Sequence, residues 1–212
     1  MLTFPNVIVA MITPFHQDGS VNYEAAVELA KKYADEGSAI LVGATTGEGA
    51  VMTEEEKLKL FKVTADALKG QTLVMGNVGT NNTALTIAMI QKAKDTGIDA
   101  LLCIVPYYNK PNQEGCYAHF ASIAKSTDMP IFIYNVPGRT GGKIAPQTVC
   151  QLAHDFPNII GLKDASGDLD YAGYVAANAP EGFHLYSGDD NLTLPIVAGG
   201  GEGVISVAAH GI

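Results

Sequence analysis

Residues 158–180 read NIIGLKDASGDLDYAGYVAANAP, and the order of events in that stretch decides the architecture. Its first part is a short run, apolar on both faces, that ends in Lys163 and Asp164. The second part is amphipathic and halts before Pro180. A run apolar on both sides suits a parallel strand covered on each face, and the amphipathic stretch suits the helix that covers it. Lys163 then stands where a strand hands over to a loop.

The same unit recurs outward in both directions. VIVAMI (7–12), AILV (39–42), TLVMG (72–76), ALLCIV (100–105), IFIY (131–134), IIGLK (159–163), FHLYS (183–187) and GVISV (203–207) read as strands. Between them lie helical stretches with clear punctuation. Asn22 caps a helix that stops at Gly37, Thr53 and Glu56 form a capping box for a helix reaching about Gly70, and NNTALTIAMIQKAKDTG ends at Gly97. Pro146 occupies a first helical turn, where its missing N–H costs nothing.

Eight strands alternating with helices predict an α/β fold, a closed (β/α)8 TIM barrel, as one domain over residues 1–212. The alternative, a doubly wound open sheet, lacks its nucleotide signature, since neither GxGxxG nor GxxxxGK[ST] follows any strand. Such barrels usually take about 250 residues. The expectation is therefore a barrel C-terminally truncated after strand 8, lacking helix 8 and the C-terminal helices, with apolar surface showing beside strands 8 and 1.

Composition narrows the function. The chain has 212 residues, 47% hydrophobic and 17% charged, enough to fill a large core. A formal net charge of -9 argues against a nucleic-acid groove or docking on an anionic membrane. Cys103, Cys116 and Cys150 form no CxxC pair and suit reduced thiols in a cytoplasm. The N-terminal MLTFPNVIVAMITPF has neither a basic start nor a long apolar core, and no apolar run reaches membrane length.

In these barrels chemistry gathers where strands end. Reading only those positions gives GATTGEG, PYYNKP, YNVPGRTGG, KDASGD and SGDD, with GGGEG beside strand 8. A lysine at a strand end is commonly just solvated, but a desolvated amine pointing into the mouth is a nucleophile toward a carbonyl. Tyr134 ends the neighbouring strand and suits proton relay. Thr45 and Thr46, in a glycine-flanked turn, offer hydroxyls and backbone N–H groups to a carboxylate. Arg139 suits a bidentate grip on another carboxylate. Asp189 and Asp190 have no partners at metal-ligand spacing, and His16, His119, His154, His184 and His210 are scattered, so no metal is expected. Gly199–Gly203 offers a weaker phosphate cradle near strands 7 and 8.

GATTGE, PYYNKP, YNVPGRTG, GLKDASG, SGDD and GVISV, in this order, resemble the dihydrodipicolinate synthase family of pyruvate-dependent class I aldolases, from about Val7 to Val207. The resemblance implies condensation of pyruvate with L-aspartate 4-semialdehyde on the way to diaminopimelate and lysine, without metal or other cofactor, in a homo-oligomer. It implies a covalent pyruvate imine on Lys163. It makes Tyr134, Thr45 and Tyr108 a proton relay, with Tyr108 reaching in from a neighbouring subunit. Thr46 and Ile205 then contact pyruvate, while Arg139 and Gly188 contact the semialdehyde. Related lyases such as N-acetylneuraminate lyase share the lysine and tyrosine but lack the arginine, so they are the alternative, together with an inactive barrel fragment. Some lysine-sensitive members have histidines where Glu54 and Lys57 stand, and an acidic residue that grips the lysine amine stands where this chain has Leu85. With Asn81 retained but those others changed, weak or absent feedback inhibition is expected.

Overall fold

Each strand sends alternate side chains to opposite faces, so a strand apolar throughout needs a core on both sides. The structure, a computed structural model describing residues 3–211, builds both; Met1, Leu2 and Ile212 of the expected domain lie outside the described residues. The elements run β1 (Val7–Ala10), α1 (Tyr23–Asp35), β2 (Ala39–Val42), α2 (Glu54–Leu68), β3 (Val74–Asn77), α3 (Thr83–Ala93), β4 (Ala100–Ile104), α4 (Gln113–Ala124), β5 (Ile131–Asn135), α5 (Pro137–Thr140), α6 (Pro146–Asp155), β6 (Ile159–Asp164), α7 (Leu169–Asn178), β7 (His184–Ser187), α8 (Thr193–Ala198) and β8 (Gly203–Ser206). The strands close in chain order into a parallel barrel, β8 pairing β1 through Ile8 and Ile205. This is the (β/α)8 barrel that the sequence predicts.

The two cores follow strand parity. Ile8, Leu41, Met75, Leu102, Phe132, Tyr186 and Ile205 fill the barrel. Val9, Ile40, Leu101, Ile133 and Leu162 point outward to meet Leu60, Phe61, Ile90, Phe120, Leu152 and Val175 of the helices. Glycine is required where a large residue crosses the interior: a Cβ on Gly161 would lie 2.3 Å from the Phe132 ring. At the N-terminal end of the barrel, Phe4 packs on Phe132 at 5.1 Å between ring centroids, and the Tyr186 hydroxyl donates to the Pro5 carbonyl.

The expected punctuation holds. Asn22 accepts from the Ala25 N–H, the Thr53–Glu56 capping box is complete, and Gly97 ends its helix at φ +89°. Helix α4 is capped by Asn112 and α8 is a short segment after a 3-10 turn; neither carries punctuation that the sequence reading used. One expectation fails on position. The run from Gly199 to Gly203 lies at the start of β8, the opposite end of the barrel from the strand-end loops, and a Cβ on Gly203 would lie 1.9 Å from the Asn6 carbonyl oxygen. It is there for close chain approach, not for holding phosphate. After β8 the described residues form a 3-10 turn, Ala208–His210, whose His210 Nε2 accepts from the Ile12 N–H. No helix among the described residues is long and apolar enough to cross a membrane.

Candidate active site

Strand parity turns Lys163 and Tyr134 inward, because Leu162 and Ile133 face the helices. The two are register partners across β5 and β6, and the Lys163 Nζ lies 4.5 Å from the centroid of the Tyr134 ring. Both are almost wholly buried, Lys163 at 4% exposure and Tyr134 at 5%. Ile205, fully buried on β8, belongs to the same interior cluster as Tyr134. The barrel thus brings an amine, a phenol and an apolar wall into one dry region beneath the mouth.

Burial is the main influence on the lysine. It pushes the Lys163 amine down to about 8; Asp189 and Asp190 oppose that shift, and Arg139 adds to it. At pH 7 roughly a tenth of such an amine is neutral, against about three in ten thousand for an ordinary lysine. Burial also pushes the Tyr134 phenol up, with the Thr45 hydroxyl and Arg139 working the other way. Gly188 makes room for the lysine: a Cβ there would meet Ala165 Cβ at 2.8 Å and Lys163 Cε at 3.2 Å. The Gly188 N–H is committed to the Asp164 carbonyl at 2.7 Å, so only its carbonyl is open to a substrate.

The rim is wetter. Thr45 is exposed and Thr46 half-buried in a tight turn in which the Gly49 N–H donates to the Ala44 carbonyl at 3.0 Å. Asn77, at the end of β3, donates to the Gly43 carbonyl and pins that turn from the side. A cleft of about 370 Å³ runs from Thr45 past Lys57, Asn77 and Tyr107 to Arg139. Arg139, on α5, is exposed and forms no ion pair among the described residues. Tyr108 does not join the site. It stands at φ +71° and 90% exposed, and its N–H donates to the Thr140 carbonyl.

The acidic pair after β7 splits its roles. Asp190 is occupied structurally, accepting from the Ser206 hydroxyl and from the Val207 and Ala208 N–H groups at 3.1 Å. Asp189 is the first of the charges acting on Lys163. No cluster of three or more metal-ligating side chains occurs among the described residues. Sequence reasoning missed Asn77 and Asp189 as parts of the site. An amide ending an otherwise apolar strand, as at Asn77, is the signal that would have found the first.

The Dihydrodipicolinate synthetase family matches over residues 3–212. The chain is 45% identical over 210 residues to 4-hydroxy-tetrahydrodipicolinate synthase of Bacillus subtilis (strain 168), an overlap of 99% of this chain and 72% of that one. It is 48% identical over 212 residues to the protein of the same description from Thermosynechococcus vestitus, covering 99% of this chain and 71% of the relative. Among solved structures, DHDPS from Cyanidioschyzon merolae with lysine bound superposes with a TM-score of 0.96 at 44% identity, covering 98% of this chain and 71% of that one.

Proposed function

The chain belongs to the dihydrodipicolinate synthetase family, and from that premise we propose that it condenses pyruvate with L-aspartate 4-semialdehyde, giving 4-hydroxy-tetrahydrodipicolinate through a Schiff base on Lys163. The observation that carries this reading is the buried amine, its pKa lowered, set in register beside a buried phenol. The neutral Lys163 amine adds to the pyruvate carbonyl carbon and water leaves, forming a C=N bond. The protonated imine draws electrons from the methyl group, which gives up a proton and becomes an enamine. The enamine carbon attacks the aldehyde carbon, and the new alkoxide takes a proton; the amino group brought by the semialdehyde then adds to the imine carbon and expels the Lys163 amine, closing the ring of the product and restoring the enzyme. Electrons move only among the two substrates and the Lys163 nitrogen, with no net oxidation or reduction, so the sequence of bonds calls for no external cofactor.

Each proton transfer needs a carrier. The Tyr134 phenol, held protonated by burial, passes protons only in concert with a second hydroxyl, and Thr45 supplies the adjacent one. Tyr108 completes the relay from a neighbouring subunit; its exposed ring suits that role, and the reading therefore requires a homo-oligomer. Thr46 and Ile205 hold pyruvate, Arg139 attracts the semialdehyde carboxylate, and the Gly188 backbone contacts the semialdehyde at the same end. Three buried free thiols suit a cytoplasmic enzyme. Arg139 favours this reaction over the lyases that lack the corresponding arginine.

Borohydride reduction in the presence of pyruvate, followed by peptide mass spectrometry, tests the reading. A reduced pyruvyl adduct on Lys163 is expected. A folded chain with no adduct would overturn it. On the same reading, inhibition by free lysine is weak, because Leu85 is exposed and apolar and Lys57 adds a like charge at the cleft. Strong inhibition by submillimolar lysine in initial-rate assays would contradict that.

A further inference from the structure

The residues that follow Tyr134 and Lys163 are also register partners, Asn135 with Asp164, and strand alternation turns them to the outer face. Both are buried, Asn135 at 0% and Asp164 at 2% exposure. The Asn135 amide donates to one Asp164 oxygen at 2.9 Å, and the Ser166 hydroxyl donates to the other at 2.8 Å. The Asp164 carbonyl accepts from Gly188 of the next strand end, and the Ala165 N–H donates to the Asn135 carbonyl. One aspartate thus ties β5, β6 and the end of β7 together, directly behind the amine and phenol.

A second observation comes from the other end of the same strand pair. Between Ile131 and Phe132 the β5–β6 register shifts, Ile131 pairing with Ile159 but Phe132 with Gly161. The extra residue, Ile160 on β6, separates that first pair from the rest of the ladder, so the offset at the mouth is carried by the four pairs from Phe132–Gly161 to Asn135–Asp164, and the last of these adds a side-chain bond across the strands. A buried carboxylate is a costly choice for stability alone, where an apolar side chain of similar size would serve as well or better.

We infer that the Asn135–Asp164 pair is a positioning element for the reaction, fixing the offset between β5 and β6 and hence the placement of the Tyr134 phenol against the Lys163 amine. It touches neither substrate. It acts by geometry, since it faces the helices and the charges that bear on Lys163 are those of Asp189, Asp190 and Arg139. The inference rests on the Schiff-base reading of Lys163.

Two measurements separate its consequences. Imine trapping by borohydride needs Lys163 alone, whereas exchange of pyruvate methyl protons into D2O, without the semialdehyde, needs the lysine and the proton carrier in register. In Asp164→Leu, trapping is expected to stay within about threefold of wild type while exchange falls about tenfold or more. The thermal midpoint is expected to fall, because the buried Asn135 amide loses its acceptor, so trapping and exchange are compared at a temperature where the variant is folded. Asp164→Asn keeps an amide–carbonyl contact and should retain most of the exchange, as should the swap of Asn135→Asp with Asp164→Asn. If Asp164→Leu does not fold, Asn135→Ser removes the same bond from the other strand and is read the same way. An untrapped wild-type chain would overturn the Schiff-base reading and this inference with it. A trapped wild type whose folded variants keep the ratio of exchange to trapping would overturn this inference alone.

Discussion

The two sides of the barrel mouth are built on opposite terms. At the ends of β5 and β6, Lys163 and Tyr134 are buried, cross-strand partners whose environment is protein on every side. In the loops of the rim, Thr45, Arg139 and Tyr108 are exposed, on turns and a four-residue helix. The dry side shifts proton affinities, because desolvation is strong only where water is excluded. On the proposed reading, the wet side presents the Arg139 guanidinium to an anionic substrate. On the proposed reading, covalent chemistry belongs to the strands and recognition to the loops.

The sharpest break of that division is Lys163→Ala. Losing the nucleophile should lower kcat by about 10^4-fold or more while leaving the fold intact, and steady-state kinetics with circular dichroism checks both. Tyr134→Phe removes one hydroxyl from the same dry region. A loss of about 10^2- to 10^3-fold in kcat is expected, with pyruvate trapping on Lys163 preserved. Equal loss of trapping would mean that the phenol shapes the lysine's environment instead of moving protons.

On the wet side the effect should change character as well as size. Arg139→Ala should raise KM for the semialdehyde about tenfold to a hundredfold, the worth of a charge-assisted pair, with a smaller change in kcat. KM for pyruvate should scarcely move. A fall in kcat as deep as that of Tyr134→Phe would erase the proposed split between the two sides.

The same contrast explains what the sequence could reveal. The apolar run before Lys163 was enough to place it at a strand end by the barrel mouth, but a run apolar on both faces hides which residues turn inward; the capping residues Asn22, Thr53 and Glu56 were readable because each acts within one helical turn. Asn77 shows in the sequence only as an amide at a strand end; its bond to Gly43 does not, because it joins positions far apart in the chain. Gly188 was legible as a neighbour of the site, yet the commitment of its N–H to Asp164 depends on β6 and β7 lying side by side. The glycine run before β8 misled because glycine spacing alone does not distinguish a phosphate cradle from a crowded chain crossing.

The smallest expected effect tests the electrostatics that join the two sides. Asp189 leaves the strand beside Lys163, and its negative charge favours the charged amine against the dominant push of burial. Removing that charge in Asp189→Asn should therefore lower the lysine's pKa further below about 8, not raise it. Imine formation needs the neutral amine, so the rate of trapping in wild type should climb tenfold per pH unit below that value and level off above it. In Asp189→Asn the whole profile should move to lower pH, by about one unit or less, with trapping near neutrality becoming faster. A shift to higher pH would mean that Asp189 holds its influence through structure, for instance by orienting the turn after β7, whose Asp189 N–H is bound by Ser187. An unmoved profile would mean that water at the rim screens the aspartate from the buried amine, placing Asp189 on the wet side of the mouth.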